Sequence, residues 1–314
     1  MQQQQPTQLT PAKVLANVQK GKKQKPWRVL VYGVEGVGKS TLAAATPSPL
    51  FVGEDGINHL DAARLPVESW AQLRGAINAL AVEQHEYKTL VMDTVDWAEP
   101  LCWAYVCARD KEQSIESYGY GKGYAAALDE WRALVADLER LQRARGLNVL
   151  LLGHCHQKTF KNPEGEDFDR YELKLNLKAG GMLKEWSDAV LFADHEQYAK
   201  KDERTKRVRG VSTGARWLHT QRTAAYDAKN RFDFPEALPL SWADVDAAMA
   251  RSAVDVGAIT AEVKRKAAEI GGDKGKEIEA ALSRAGSDAT KLNWLNTHSN
   301  SLLTLKAQAA EKAV

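Results

Sequence analysis

Apolar positions along the chain fall into two periodicities, and their order predicts an α/β fold. Short apolar runs at Trp27-Arg28-Val29-Leu30-Val31-Tyr32, Leu50-Phe51-Val52-Gly53, Thr89-Leu90-Val91-Met92-Asp93, Asn148-Val149-Leu150-Leu151-Leu152-Gly153 and Val190-Leu191-Phe192 read as buried strands. Between them, apolar side chains recur at helical spacing. Trp70, Leu73, Ile77 and Leu80 follow a Ser69 cap; Trp97, Leu101, Tyr105 and Val106 mark a helix over 97–109; Leu128, Trp131, Val135, Leu138 and Leu141 define a long amphipathic helix. Strands alternating with helices predict a mostly parallel central sheet flanked by helices.

Downstream the pattern changes. Residues 157–169 are polar and aperiodic, whereas Tyr171-Glu172-Leu173-Lys174-Leu175-Asn176-Leu177-Lys178 alternates strictly. That alternation predicts a half-buried strand with Lys174 and Lys178 outward, broken at Gly180-Gly181. A hairpin is expected over about 196–222, and the core closes near 245. The predicted organisation is a flexible basic arm at 1–25, an α/β core at 26–245 and a helical region at 246–314, in which Ile278, Leu282, Leu292, Trp294 and Leu295 pack together.

A formal charge of +2 names no partner, so the placement of the charges matters. The arm carries Lys13, Lys20, Lys22, Lys23 and Lys25 and reads as solvated chain. The hairpin carries Lys200, Lys201, Arg204, Lys206, Arg207, Arg209, Arg216 and Arg222 against Glu196, Asp202 and Glu203. It is either a protected sheet edge or a phosphate-contacting surface. Cys102, Cys107 and Cys155 form no paired framework, which predicts reduced thiols in the cytoplasm. The opening residues lack the apolar core of a signal peptide, and no apolar run approaches the ~20 residues of a membrane helix, so no membrane contact is expected.

Chemistry enters at Gly33-Val34-Glu35-Gly36-Val37-Gly38-Lys39-Ser40, which fits the phosphate-binding pattern G-x-x-x-x-G-K-[ST]. The amides of such a loop wrap the phosphates, the Lys reaches the β and γ groups, and the hydroxyl holds Mg²⁺. With Thr41, which follows it, this stretch is the expected ATP-binding set. Asp93, ending a short apolar strand, is the expected second Mg²⁺ ligand beside Ser40. The most apolar strand delivers His154 to the same strand end. A metal cluster of His154, Cys155 and His156 is the rival reading, disfavoured because three adjacent strand residues do not converge on one ion.

Taken in order, these features resemble the RecA/Rad51-type recombinase core, in particular short phage proteins of that family that keep the ATPase core and promote single-strand annealing. The resemblance covers residues 26–242 and rests on the phosphate loop, Glu54-Asp55-Gly56 after the second strand, the Tyr-Gly-rich segment 118–124, the strand ending at His154, and Lys229-Asn230-Arg231 before Pro235. It implies a DNA-stimulated ATPase in the host cytoplasm. Glu54 is the implied base that activates water; Asp55 is the adjacent alternative. His154 stands where the family senses the γ-phosphate, often with Gln.

The resemblance also places two DNA loops at about 112–124 and 157–181. The first supplies Tyr118, Tyr120, Lys122 and Tyr124, and the second Lys158, Lys161, Arg170, Lys174 and Lys178 alongside Glu164, Glu166, Asp167 and Asp169. Stacking rings with backbone-tracking cations suit single strands. Lys229 and Arg231 match a cation pair that reaches a neighbouring subunit's γ-phosphate. The implied partners are single-stranded DNA, further copies of this chain in a filament or ring, and a single-stranded-DNA-binding protein. Two rivals share the core: a helicase or helicase loader, and a nucleotide-gated scaffold without catalysis.

Overall fold

The computed structural model describes residues 25–53, 58–201, 208–253, 256–286 and 289–311. Glu54, Asp55 and the arm before residue 25 lie outside them, as do residues 202–207 of the expected hairpin, with Arg204, Lys206 and Arg207. Among the described residues ten strands form one sheet system: β1 (Arg28–Gly33), β2 (Pro49–Gly53), β3 (Ala63–Pro66), β4 (Thr89–Asp93), β5 (Asn148–Phe160), β6 (Phe168–Leu173), β7 (Ala189–Lys201), β8 (Val208–His219), β9 (Lys229–Asn230) and β10 (Ala237–Pro239). The helices are α1 (Lys39–Ala44), α2 (Trp70–Val82), α3 (Val95–Asp110), α4 (Lys122–Arg145), α5 (Leu177–Trp186), α6 (Trp242–Ala253), α7 (Val256–Ile270), α8 (Gly272–Ala285) and α9 (Ala289–Glu311).

The strand order is β10-β8-β7-β1-β5-β4-β2-β3, parallel from β7 through β3 and antiparallel across β7-β8-β10. The expected α/β fold with a mostly parallel, helix-flanked sheet is therefore present. Its placement of β5 between β1 and β4 governs the site below.

Both faces of the sheet are buried, which explains the unbroken apolar runs. Leu30, Tyr32, Leu90, Met92, Val149 and Leu151 pack on one side against α2, α3 and α4; Val29, Val31, Val91, Leu150 and Leu152 pack on the other with Leu42 and Val245. On the first side Trp70 and Trp131 meet edge to face at 5.1 Å. The Trp70 indole N–H donates to Glu130, which also receives Arg74 and Arg109. Leu151 is 1% exposed at the centre. Leu151→Ala is expected to cost about 2–5 kcal/mol through lost burial and a cavity, read as a lowered midpoint in urea unfolding.

Two expectations are corrected here. The alternating stretch does not continue as a strand: β6 stops at Leu173, and α5 begins at Leu177. The Asn176 side chain accepts from the Lys178 N–H at 3.1 Å, capping the helix that the alternation concealed. Gly180 and Gly181 lie inside α5, and Lys174 and Lys178 share no strand face. The polar segment 157–169 is instead the end of a β-hairpin, since β5 runs on to Phe160 and pairs antiparallel with β6 from Cys155↔Leu173 to Phe160↔Phe168, with 161–167 as the connecting turn. Polar side chains on both faces left no alternation to read.

Residues Pro26–Val254 form one compact unit, and Asp255–Val314 belongs to another. In the latter, Val263, Ala267, Ile278, Leu282, Leu292 and Leu295 make a small core. Trp294, expected inside it, is 63% exposed and stacks on His298. Leu292 and Leu295, three apart, share the inward face, and 294 turns away from it. No described helix is long and apolar enough to cross a membrane.

Candidate nucleotide-binding site

The phosphate loop leaves β1 at Gly33 and enters α1 at Lys39. A Cβ on Gly33 would sit 1.9 Å from the Ala193 carbonyl oxygen, so only glycine lets the loop pass over β7. Gly36 (φ 72°) and Gly38 (φ 108°) take left-handed conformations that favour glycine. Val37 anchors the loop from beneath, fully buried, while Glu35, Gly36 and Thr41 are exposed. Val34 donates its N–H to Ala193 at 3.3 Å.

Lys39 is 6% exposed, and its ammonium donates to the Gly33 and Val34 carbonyls at 3.1 and 2.9 Å. Burial lowers its pKa, opposed by neighbouring negative groups including Asp93 and Asp96. The Ser40 hydroxyl donates to Asp93 at 2.6 Å. Burial raises the Asp93 pKa against the pull of Ser40 and Lys39. A hydroxyl touching a half-buried carboxylate at the end of the strand beyond the loop is a donor set of the hard oxygens that Mg²⁺ prefers. Ser40 and Asp93 fit that ion, and Lys39 fits the phosphates it would accompany.

His154 ends the part of β5 that lies in the main sheet, opposite Gly33 of β1. Because β4 pairs on the other side of β5, His154 lies between the phosphate loop and the Asp93 strand. Strand alternation sends Cys155 to the face opposite His154 and His156, so these three do not assemble as a metal cluster. The partner of His154 is Asp96, in the first turn of α3, which accepts from its backbone N–H at 3.0 Å and its Nδ1 at 2.8 Å. Sequence reasoning missed Asp96. Its position after the Thr94 cap reads as ordinary helix-start chemistry, and nothing local ties it to a residue 58 positions away.

A second contact absent from the sequence reading comes from Arg216 of β8. Its guanidinium donates to the Val37 carbonyl at 3.0 Å and lies 2.6 Å from where a Gly38 Cβ would stand. One cation of the basic hairpin is thus tied to the phosphate loop.

The DNA-loop candidates divide by what their polar groups already touch. Tyr118 donates its hydroxyl to the Val106 carbonyl and to Asp110, at 2.9 and 2.8 Å. Tyr124 donates to Glu116 and meets Trp103 edge to face. Tyr120 has its ring fully in solvent, and Lys122 is exposed at the start of α4. Lys158 and Lys161 pair with Glu172 and Asp167 on the β5–β6 hairpin. Lys174 and Lys178 are exposed. Arg170 is 5% exposed, bonded to Asp227 at 2.7 Å and lying over the Phe160 ring, so its charge is committed inside the fold. A shallow pocket at the hairpin base is lined by His156, Lys158, Lys184, Leu177, Gly180 and Gly181.

Lys229 and Arg231 lie elsewhere. β9 pairs with Ala189 and Val190 at the start of β7, whereas the phosphate loop crosses β7 at Ala193. Four residues of strand separate the two ends by roughly 13 Å. Lys229 donates to the carbonyls of Lys184, Glu185 and Ser187 at the end of α5. Burial and then Arg231 lower its pKa. Arg231 meets Asp188 at 3.4 Å and is 55% exposed.

A family model described as an AAA domain matches residues 25–232, about two thirds of the chain. No curated protein matches.

Proposed function

The chain belongs to the AAA-domain family, a family of P-loop NTPases, and from that premise we propose that it is an ATP-dependent protein that binds single-stranded DNA and promotes strand annealing or pairing as an oligomer. A P-loop core supports ATP hydrolysis in general. The recombination reading is carried by one observation: β5 runs without interruption from His154, beside the phosphate loop, into the hairpin that bears Lys158 and Lys161. A strand that is rigid over this length couples the occupancy of the nucleotide site to the hairpin. The pocket at the hairpin base is lined by Lys158 and Lys184 together with Glu172, and both cations are already paired, Lys158 with Glu172 and Lys184 with Asp227, so it adds no free cation to this reading.

In this reading Lys39 and the loop amides hold the triphosphate, and Ser40 and Asp93 hold Mg²⁺. When bound, that ion neutralises charge on the β- and γ-oxygens. Arg231, more than half exposed and at the far end of the sheet from its own loop, acts on the nucleotide of an adjoining subunit, while Lys229, expected beside it in that role, spends its three N–H groups on the end of α5. Tyr120, the fully exposed ring, stacks on a base. Tyr118 and Tyr124 hold the segment in place through their hydroxyls.

Anisotropy of a labelled oligonucleotide, with and without a non-hydrolysable ATP analogue, tests the reading. Affinity for single strands is expected to rise with the analogue, to exceed that for duplex, and to fall as salt releases counterions. Tyr120→Ala is expected to cost about 1–3 kcal/mol of that affinity. Equal affinity with and without nucleotide sinks the reading. Directional unwinding of a tailed duplex assigns the core to a helicase instead, and ATP binding without DNA-stimulated turnover assigns it to a scaffold.

A further inference from the structure

Asp96 makes two hydrogen bonds to one residue. Its carboxylate accepts from the backbone N–H of His154 at 3.0 Å and from the ring Nδ1 at 2.8 Å, with only 12% of its side chain exposed. Burial pushes the Asp96 carboxyl up, but hydrogen bonds from His154 and Thr94 outweigh it and hold the group below its ordinary value. An ionised carboxylate can only accept, so Nδ1 carries the proton. In the neutral ring Nε2 is then a bare lone pair. Among the described residues Nε2 has no partner, and the ring, 29% exposed, stands at a strand end between the phosphate loop and Asp93.

We propose that Asp96 and His154 are the proton-accepting pair for ATP hydrolysis, with His154 Nε2 as the accepting atom and Asp96 as the residue that positions it. Water gives one proton to Nε2 while its oxygen forms a bond to the γ-phosphorus. The bond from that phosphorus to the β–γ bridging oxygen breaks, and its electron pair leaves on ADP. The imidazolium is stabilised by Asp96 until it returns the proton to solvent or to the released phosphate. A residue that only sensed the γ-phosphate would need to donate to its oxygens. The geometry opposes that for a neutral ring, because the one N–H is turned to Asp96.

This inference rests on the ATP reading of the site, and its tests separate the two. The ¹⁵N-edited ring spectrum of the nucleotide-free wild type, with His154 assigned by its loss in His154→Gln, is expected to show the Nδ1–H tautomer. An Nε2–H tautomer overturns the proposal. Asp96→Asn keeps the shape, with the amide oxygen accepting from the backbone N–H. Its NH₂ donates to Nδ1 and forces the proton onto Nε2, the tautomer reversal that such a change produces in other Asp–His pairs. Fluorescent-ATP affinity is expected to stay within about threefold of wild type, since only the accepting atom is lost. Turnover is expected to fall by about 10²–10⁴, the range for a general base. His154→Gln, which can donate to phosphate but is no base at neutral pH, is expected to fall equally, and the double variant no further. Wild-type turnover in Asp96→Asn, or that loss in Glu54→Gln alone, overturns the proposal and moves the base. A wild type that binds no ATP takes the site reading down with it.

Discussion

Lys39→Ala is expected to abolish ATP turnover, by on the order of 10²–10³ or more, as removal of one preorganised charge donor does in other active sites. The ammonium is the only cation within the loop, and it already donates to the Gly33 and Val34 carbonyls. The bond to Gly33 is buried, so the substitution is also expected to cost about 1–3 kcal/mol of stability through carbonyls left unpaired, but the sheet beneath is anchored by Val37 and the strands rather than by Lys39. The thermal unfolding midpoint should therefore be lowered, with the transition still cooperative, while turnover and ATP-dependent DNA binding disappear. Retained turnover in a folded Lys39→Ala protein overturns the nucleotide site.

Removing Arg231 should have the other large effect. A cation supplied across an interface neutralises charge on the transferred phosphoryl group and is worth about 10³–10⁵ in rate in related phosphoryl-transfer enzymes. Arg231→Ala should still bind ATP but turn over slowly even with DNA, and dilution to monomers should slow wild type in the same way. Mixing Arg231→Ala with Lys39→Ala subunits should restore part of the activity, because one orientation of mixed interface pairs an intact loop with an intact Arg231. Steady-state turnover across mixing ratios at fixed total protein reads this out. No recovery, with mixed assembly confirmed by co-purification, removes Arg231 from the chemistry. Lys229 is the poorer probe. Its ammonium caps three carbonyls at the end of α5, so Lys229→Ala should also cost about 1–3 kcal/mol of stability through groups left unpaired, and a loss of turnover alone would be ambiguous.

What the sequence determined by itself is what short-range rules control. The phosphate loop was legible because glycines at left-handed positions, a lysine and a hydroxyl must sit at fixed offsets to wrap a phosphate. The strands around Leu30, Val91 and Leu151 were legible because burial on both faces demands unbroken apolar runs, and the helices of Trp70 and Trp131 because one face repeats at helical spacing. The sequence failed where a local pattern competed with a cap, at Asn176, and where a polar hairpin left no apolar face to follow, at 157–169. Tertiary structure alone decided the partners. Asp96 meets His154 because β5 inserts between β1 and β4. Arg216 reaches Val37 because the β7–β8 hairpin folds back beside the loop, and Arg170 vanishes beneath Asp227 although its neighbours look solvated. Strand order brings these groups together across 57 to 179 residues of chain, and strand order is set by which buried surfaces fit one another, a property of the whole core rather than of any stretch of it.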